Sequence, residues 1–360
     1  MEQERKPRVA ITHGDTNGVG YELILKIFED FGMMELCTPI IYGSPKVATY
    51  HRKALNSQVQ FNIISNADEA QENRLNLLTT FDEEIKVEFG HPSDEATDAA
   101  RKALKRAMVD VQHGMADVLV MGPDNLPDFL SKEPEVLKIR IADDLRVALI
   151  TNAIAIKEVP GAITQQKIVE KGKIMHTCLR RDLRISSPRI AILALNPPTD
   201  NEENPWGEEE KNIIIPAIEE LEQANIQAFG PYAADTFFGS GDYQQFDAVM
   251  AMYHDQGMAP LKTLARENSI ILATGMPFVC TQPVTGVEYS IAGKGMADEA
   301  SLRQAIFTGI DVYRNRRFYD EPLQNPLSKL YKEKRDDSEK VRFAVSKPKE
   351  LKKEETEKNE

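Results

Sequence analysis

An α/β fold, with a mostly parallel or mixed sheet flanked by helices, is predicted by three features of this sequence. Short apolar runs alternate with longer stretches whose apolar residues recur at helical spacing. Glycine-bearing turns follow several of the runs, where a strand would stop and a helix begin. The 360 residues can bury a large core, and the length suits two lobes sharing one sheet as well as two independent domains.

Residues 8–12 read as a first strand, the Gly-rich segment with Gly14, Gly18 and Gly20 as a turn, and residues 21–30 as a helix packed on a sheet. Further strands are expected at 38–42, 58–64, 117–121, 146–151, 189–195, 247–252 and 269–274. Helical patterns lie between them at 94–114, 165–183, 207–224 and 298–314. Strands alternating with long helices put helices on both faces of the sheet. Beyond about Tyr331 the pattern stops, and residues 332–360 carry ten Lys/Arg and nine Asp/Glu among few sizeable apolar side chains. The expected organisation is therefore a folded region over 1–330 and a charged, disordered tail over 331–360.

With 41% hydrophobic and 28% charged residues the composition is that of an ordinary soluble protein. A formal net charge of −13 argues against nucleic acid or an anionic membrane as partner, because both require clustered cations. The tail nearly balances its own charge, so the acidity belongs to the folded body, and a small anionic ligand would need a local basic pocket. Cys37, Cys178 and Cys280 form no disulfide framework and suit a reducing compartment. No apolar stretch approaches the roughly 20 residues of a membrane span, and the opening Met-Glu-Gln-Glu-Arg-Lys lacks the apolar region of a signal peptide. The cytoplasm is the expected location.

The chemistry concentrates in Met252-Tyr253-His254-Asp255-Gln256-Gly257, directly after the apolar run 248–251. A His, an Asp and an amide stand where a strand stops and a Gly lets the chain turn, the place where α/β proteins carry their sites. A strand-end His beside a carboxylate serves as a metal ligand, a general base or a structural hydrogen-bonding pair. In the first loop, Gly14, Gly18 and Gly20 fit either tight-turn geometry or ligand contact, and Asp15 and Asn17 can cap the following helix. His13 belongs to that loop. His51, His91, His113 and His176 read as ordinary surface or helix histidines, and Cys280 as an inert, half-buried thiol.

The 252–257 motif resembles the Tyr-His-Asp-Gln-Gly segment of the 4-hydroxythreonine-4-phosphate dehydrogenases, the PdxA family. Other pieces fall in that family's order: the 11–22 loop, Leu195-Asn196-Pro197, the 230–238 segment, Gly275-Met276-Pro277-Phe278 and Ala292-Gly293-Lys294-Gly295. The resemblance implies a two-lobed isocitrate/isopropylmalate dehydrogenase-like fold working as a homodimer. It also implies NAD-dependent oxidation, with decarboxylation, of a small phosphorylated substrate, 4-phosphohydroxy-L-threonine, in pyridoxal phosphate (vitamin B6) synthesis, assisted by a divalent metal such as Zn, Co or Mg. By the same resemblance His254 is a metal ligand, Asp255 and Asp235 are catalytic, Lys262 binds substrate, and Gly293 and Gly295 bind the cofactor.

Departures from the family pattern cluster at the chemical centre. Ala153 and Pro198 stand where the resemblance implies the other two metal histidines, Ile271 and Cys280 where it implies a substrate-binding Asn and Arg, and the Gly-His-Thr-Glu segment has no counterpart. Scaffold residues such as Gly18, Pro197, Gly257 and Pro277 persist. A non-catalytic paralogue, acting as a ligand-binding or regulatory homodimer, is the alternative these losses raise.

Overall fold

The computed structural model describes residues 5–81, 85–124, 126, 136–198, 206–264 and 269–324. Its strands are β1 (Arg8–Thr12), β2 (Thr38–Gly43), β3 (Phe61–Ile64), β4 (Leu75–Thr79), β5 (Val118–Val120), β6 (Leu137–Ala142), β7 (Leu145–Leu149), β8 (Arg189–Leu193), β9 (Gln227–Tyr232), β10 (Ala248–Ala251), β11 (Ile270–Thr274) and β12 (Val279–Pro283). Its helices are α1 (Gly20–Glu29), α2 (Gly32–Leu36), α3 (Pro45–Ala54), α4 (Asp94–Gln112), α5 (Val159–Ala162), α6 (Gln165–Thr177), α7 (Ile215–Gln223), α8 (Ala234–Gly239), α9 (His254–Leu264) and α10 (Ala300–Gln324). Single π-helical turns follow α6 at Cys178–Asp182 and precede α7 at Glu210–Ile214.

The chain divides into two compact units, Met1–Tyr319 and Asp320–Glu360. The second is described only over residues 320–324, the end of α10, so the expected tail lies outside the described residues.

Within the first unit all twelve strands join one sheet in the order β3-β4-β2-β1-β5-β12-β11-β6-β7-β10-β8-β9. Most neighbours are parallel; β11 pairs antiparallel with β12 and β6, and β6 with β7. These reversals mean that the strands on the two sides of the centre run in opposite senses. The expected α/β fold, with a mostly parallel, mixed sheet flanked by helices, is the observed one.

Four strands were not marked by spacing. Strand β9 contains Gly230-Pro231, β12 ends in Gln282-Pro283, β6 alternates Lys138 and Arg140 with apolar residues, and β4 is a short segment between turns.

The packing explains where a cleft can form. One face of the sheet is covered continuously: Val9, Ile11, Val118, Ile139, Leu272 and Ile192 share a buried cluster with Leu23 and Ile27 of α1, Ile168 of α6, Leu221 of α7 and Ile306 of α10. At about 1.5–3 kcal/mol per fully buried Leu or Ile, this layer supplies most of the apolar driving force. The opposite face is covered in two separate patches. Ala10, Tyr42 and Leu119 pack on Ala103, Leu104 and Ala107 of α4. Val147, Leu149, Val249 and Ala251 pack on Phe237 of α8 and on Met258 and Leu261 of α9. The patches reach Cys280 of β12, Ala273 of β11 and Ala142 of β6, and between them the row Arg140, Ile271 and Gln282 of those three strands, at which the sheet reverses, lines a cavity.

A buried ion pair ties α10 to the rest of the unit. Arg316 Nε and Nη2 each donate to an Asp182 carboxylate oxygen at 2.8 Å, and Thr274 Oγ1 donates to the same carboxylate at 3.2 Å. Both charged side chains are almost wholly buried, so each depends on the other for the solvation it lost on folding.

Candidate functional site

Helix α9 begins at His254, immediately after β10, and one amide fixes its entry. Gln256 Oε1 accepts the Met252 N–H at 2.7 Å, and Gln256 Nε2 donates to the Ala194 carbonyl at 2.6 Å, joining the ends of β10 and β8. Gly257 does not make a turn, as its sequence context suggested; it lies inside α9. A Cβ there would stand 2.8 Å from Val147 and 3.0 Å from Ala251, so the missing side chain lets the helix lie flat on the sheet. This close packing aims the exposed flank of α9 across the uncovered centre of the sheet.

A cavity of about 520 Å³ occupies that centre. Its floor is formed by Arg140 of β6, Ile271 of β11 and Gln282 of β12; α9 contributes His254, Met258, Leu261 and Lys262; the facing rim is Met121–Asp124 with Val284 and Thr285. His254 and Lys262 thus meet in one cavity, as the sequence suggested. Arg140 was not anticipated. Its signal lay in the alternation of Lys138 and Arg140 with Leu137 and Ile139, which puts both cations on one face of a strand. The local basic pocket that an anionic ligand requires is therefore present in an acidic chain.

His254 is 40% exposed, and its Nδ1 lies 2.8 Å from Asp255 Oδ1. Asp255 itself is mostly in solvent and does not line the cavity. Asp235 sits in the first turn of α8, exposed and also outside the cavity lining. Gly293 and Gly295 both have positive φ in a loop packed on α1, where Glu22 accepts the Gly295 N–H and Lys26 donates to the Gly295 carbonyl. A Cβ on Gly293 would collide with the Phe89 ring, whereas the corresponding side of Gly295 is open.

The Gly-rich first loop supports the cleft rim. Gly14 has φ +72°, and a Cβ on it would lie 2.0 Å from the Pro123 carbonyl oxygen; the Asp15 N–H donates to that oxygen at 2.9 Å. Asp15 and Asn17 do not cap α1. Asp15 accepts from the Asn17 N–H and the Tyr289 hydroxyl, and Asn17 donates to the His91 carbonyl while accepting the Glu88 N–H.

One histidine expectation is corrected by burial: His51 lies in α3, as a helix histidine, but not at the surface. His13 and His51 are fully buried, flanking Tyr21 at centroid distances of 5.0 and 4.8 Å, so His51 is no surface residue. Burial lowers each imidazole to a pKa of about 4. Cys280 is likewise wholly rather than half buried, and burial pushes its thiol up to about 12. Both the neutral imidazoles and the protonated thiol belong to the packing and not to the cleft.

The donor set fits a catalytic divalent ion poorly. The ends of β7, β10 and β8 lie side by side, with Thr151 N–H donating to the Met252 carbonyl. Of the residues just beyond these ends, His254 has an imidazole, whereas Ala153 and Pro198 have no donor side chain. Among the described residues, no three His, Cys, Asp or Glu side chains converge where they could hold a metal. A site that activates substrate usually keeps three protein ligands.

Comparison with known proteins agrees with this architecture. The family described as "Pyridoxal phosphate biosynthetic protein PdxA" matches residues 35–309. A 4-hydroxythreonine-4-phosphate dehydrogenase of Bacteroides thetaiotaomicron is 49% identical, over 95% of this chain and 98% of that protein. A D-threonate 4-phosphate dehydrogenase of Cupriavidus necator is 31% identical, over 86% of this chain and 98% of that protein. A crystal structure of a 4-hydroxythreonine-4-phosphate dehydrogenase from Burkholderia phymatum superposes with a TM-score of 0.71 at 28% identity, covering 86% of this chain and 99% of that one. Similarity that runs through both sides of the sheet and the cleft strands alike places this chain in the PdxA family.

Proposed function

We propose that the cleft binds 4-hydroxythreonine 4-phosphate, the compound for which several relatives are named, and that the chain serves pyridoxal phosphate synthesis as an NAD-dependent dehydrogenase of reduced activity. The observation that carries this reading is the meeting of Arg140, Lys262 and His254 in one cavity of a chain with a net charge of −13. Lys262 supplies a mobile point charge to an anionic end of the ligand. His254 faces the reacting hydroxyl. With Nδ1–H donated to Asp255, its Nε2 would be free to accept that proton, and NAD, when bound, would supply the acceptor for the hydride. Asp235, in the first turn of α8 and outside the cavity lining, is with Asp255 the proposed pair of catalytic carboxylates. Gly295, with its open side, and Gly293 are the proposed border of the NAD site. The unit is proposed to work as a homodimer in the cytoplasm, with its folded region ending near residue 330.

The donor set favours a second reading, a non-catalytic paralogue that keeps the ligand cleft. Loss of metal stabilisation costs several kcal/mol at the transition state, so turnover is expected at least about a thousandfold below that of a member with all three imidazoles. Steady-state NADH production from 4-hydroxythreonine 4-phosphate, alongside calorimetric binding of the same compound, separates the two. Measurable NADH formation with binding supports the first reading; binding without NADH supports the second. Absence of binding removes both.

A further inference from the structure

We propose that Arg140 is the phosphate-recognising residue of the cleft and so determines its specificity. The inference rests on the reading that this cavity takes a small phosphorylated anion. Register places Arg140 opposite Ile271, and Ile271 opposite Gln282, so these residues form one row across three adjacent strands on the cavity floor. The neighbouring row is Lys138, Ala273 and Cys280, on the same face because side chains alternate along a strand. In that row Cys280 is wholly buried and contributes no charge, and Lys138 does not line the cavity. Arg140 therefore places the floor's positive charge on the β6 side, below α9 and its Lys262.

The dimensions fix where a ligand would sit. Strands are spaced about 4.8 Å apart and like-facing residues on one strand about 6.6 Å apart, so the β6 end of the floor lies roughly 10 Å from β12. An anion held by Arg140 consequently lies toward the β6 side of the floor rather than over β12. The guanidinium presents a rigid fork that matches two phosphate oxygens, whereas Lys262 offers a movable single charge suited to the other end of the molecule. Asp124 on the opposite rim makes the cavity unfavourable to a ligand with negative charge distributed along its whole length. The ligand class that fits is a short phosphate monoester, with its phosphate on the floor beside β6.

The test uses the full chain and isothermal titration with 4-hydroxythreonine 4-phosphate, unphosphorylated 4-hydroxythreonine and inorganic phosphate. Arg140→Leu is expected to weaken the phosphate ester and inorganic phosphate by about tenfold to a hundredfold, the range for losing a hydrogen-bonded charged partner. Arg140→Lys should recover only part of that loss because it restores the charge without the fork. Wild-type affinity in either Arg140 variant, with Lys262→Gln weakened, overturns the assignment while leaving the cleft reading intact. A loss confined to the unphosphorylated compound also overturns it. If the wild-type chain binds neither phosphorylated probe, the cleft reading fails and Arg140 with it. Thermal melts establish that Arg140→Leu is folded; should it not be, Arg140→Lys decides alone.

Discussion

The Gln256 amide donates to the Ala194 carbonyl at 2.6 Å, fastening the head of α9 to the end of β8. The same side chain accepts the Met252 N–H, so one residue satisfies backbone groups on two strand ends and orients His254 at the start of the helix. Gln256→Ala leaves a partly buried donor and acceptor without partners, at an expected cost of about 1–3 kcal/mol. Urea unfolding should report that loss, and binding of the phosphate ester should weaken with it. Gln256→Glu should be worse than a simple isostere, because a carboxylate cannot donate to Ala194. Wild-type stability in Gln256→Ala would show that the strand ends hold α9 without the amide.

Stability is expected to fall on mild acidification because of His13 and His51. Their folded pKa values are lowered to about 4, against 6.5 for the free side chain. Between those values the unfolded chain binds more protons than the folded one, so the neutral imidazoles' contribution is complete above about pH 6.5 and is lost as the pH falls toward 4. A shift of this size corresponds to about 3 kcal/mol per group, and the two are close enough to interact, so their effects should not simply add. Denaturant midpoints at pH 7.5 and 5.0 measure the slope. His51→Gln, which keeps an amide donor for the Thr16 carbonyl, should flatten it; an unchanged slope would assign the acid sensitivity elsewhere.

The Arg316–Asp182 pair gives a prediction independent of the cleft. Arg316→Ala leaves a buried carboxylate with no cation, for an expected destabilisation of about 3–5 kcal/mol. Replacing both residues with apolar side chains should recover much of the loss. The readout is equilibrium unfolding, and a near-neutral Arg316→Ala would mean that water reaches Asp182.

The sheet was legible because buried parallel strands such as β1, β2 and β10 are continuous apolar runs, and because the helices between them repeat at helical spacing. The strands that escaped are those in which local chemistry opposes the pattern. Strand β6 carries Arg140 where its outer face lines a cavity instead of a core, so the polar residue that helped to hide the strand is the one at the site. That His254 and Lys262 belong to one site was implied by the family resemblance, whereas the helix that carries both was not legible, because Gly257 after an apolar run reads as a turn. Burial of His13 and His51 was not legible either, since Tyr21 stands between the two rings while Phe81 closes on His13 and Phe89 on His51 from far along the chain.

A homodimer is expected in solution. Light scattering at micromolar concentration should give about twice the 40.5 kDa chain mass. A monomer would require that the cleft work with the residues of a single chain, and Arg140, Lys262 and His254 would then have to suffice.

The incomplete donor set leads to the last prediction. Purified wild-type protein should hold little or no stoichiometric Zn, Co or Mg, because Ala153 and Pro198 offer no donors beside His254. The ends of β7, β10 and β8 are adjacent, so Ala153→His with Pro198→His places the two added imidazoles in the segments that follow the strands flanking the one that leads to His254. Metal affinity should therefore appear in the double variant before turnover does. The floor still lacks polar groups at Ile271 and Cys280, and a substrate that is not held in a reactive geometry gains little from a metal beside it. Elemental analysis and equilibrium dialysis measure the first effect and NADH formation the second. One tightly held ion per wild-type chain would contradict the donor-set argument, and turnover restored to the family level by the two histidines alone would show that the altered floor already positions the substrate.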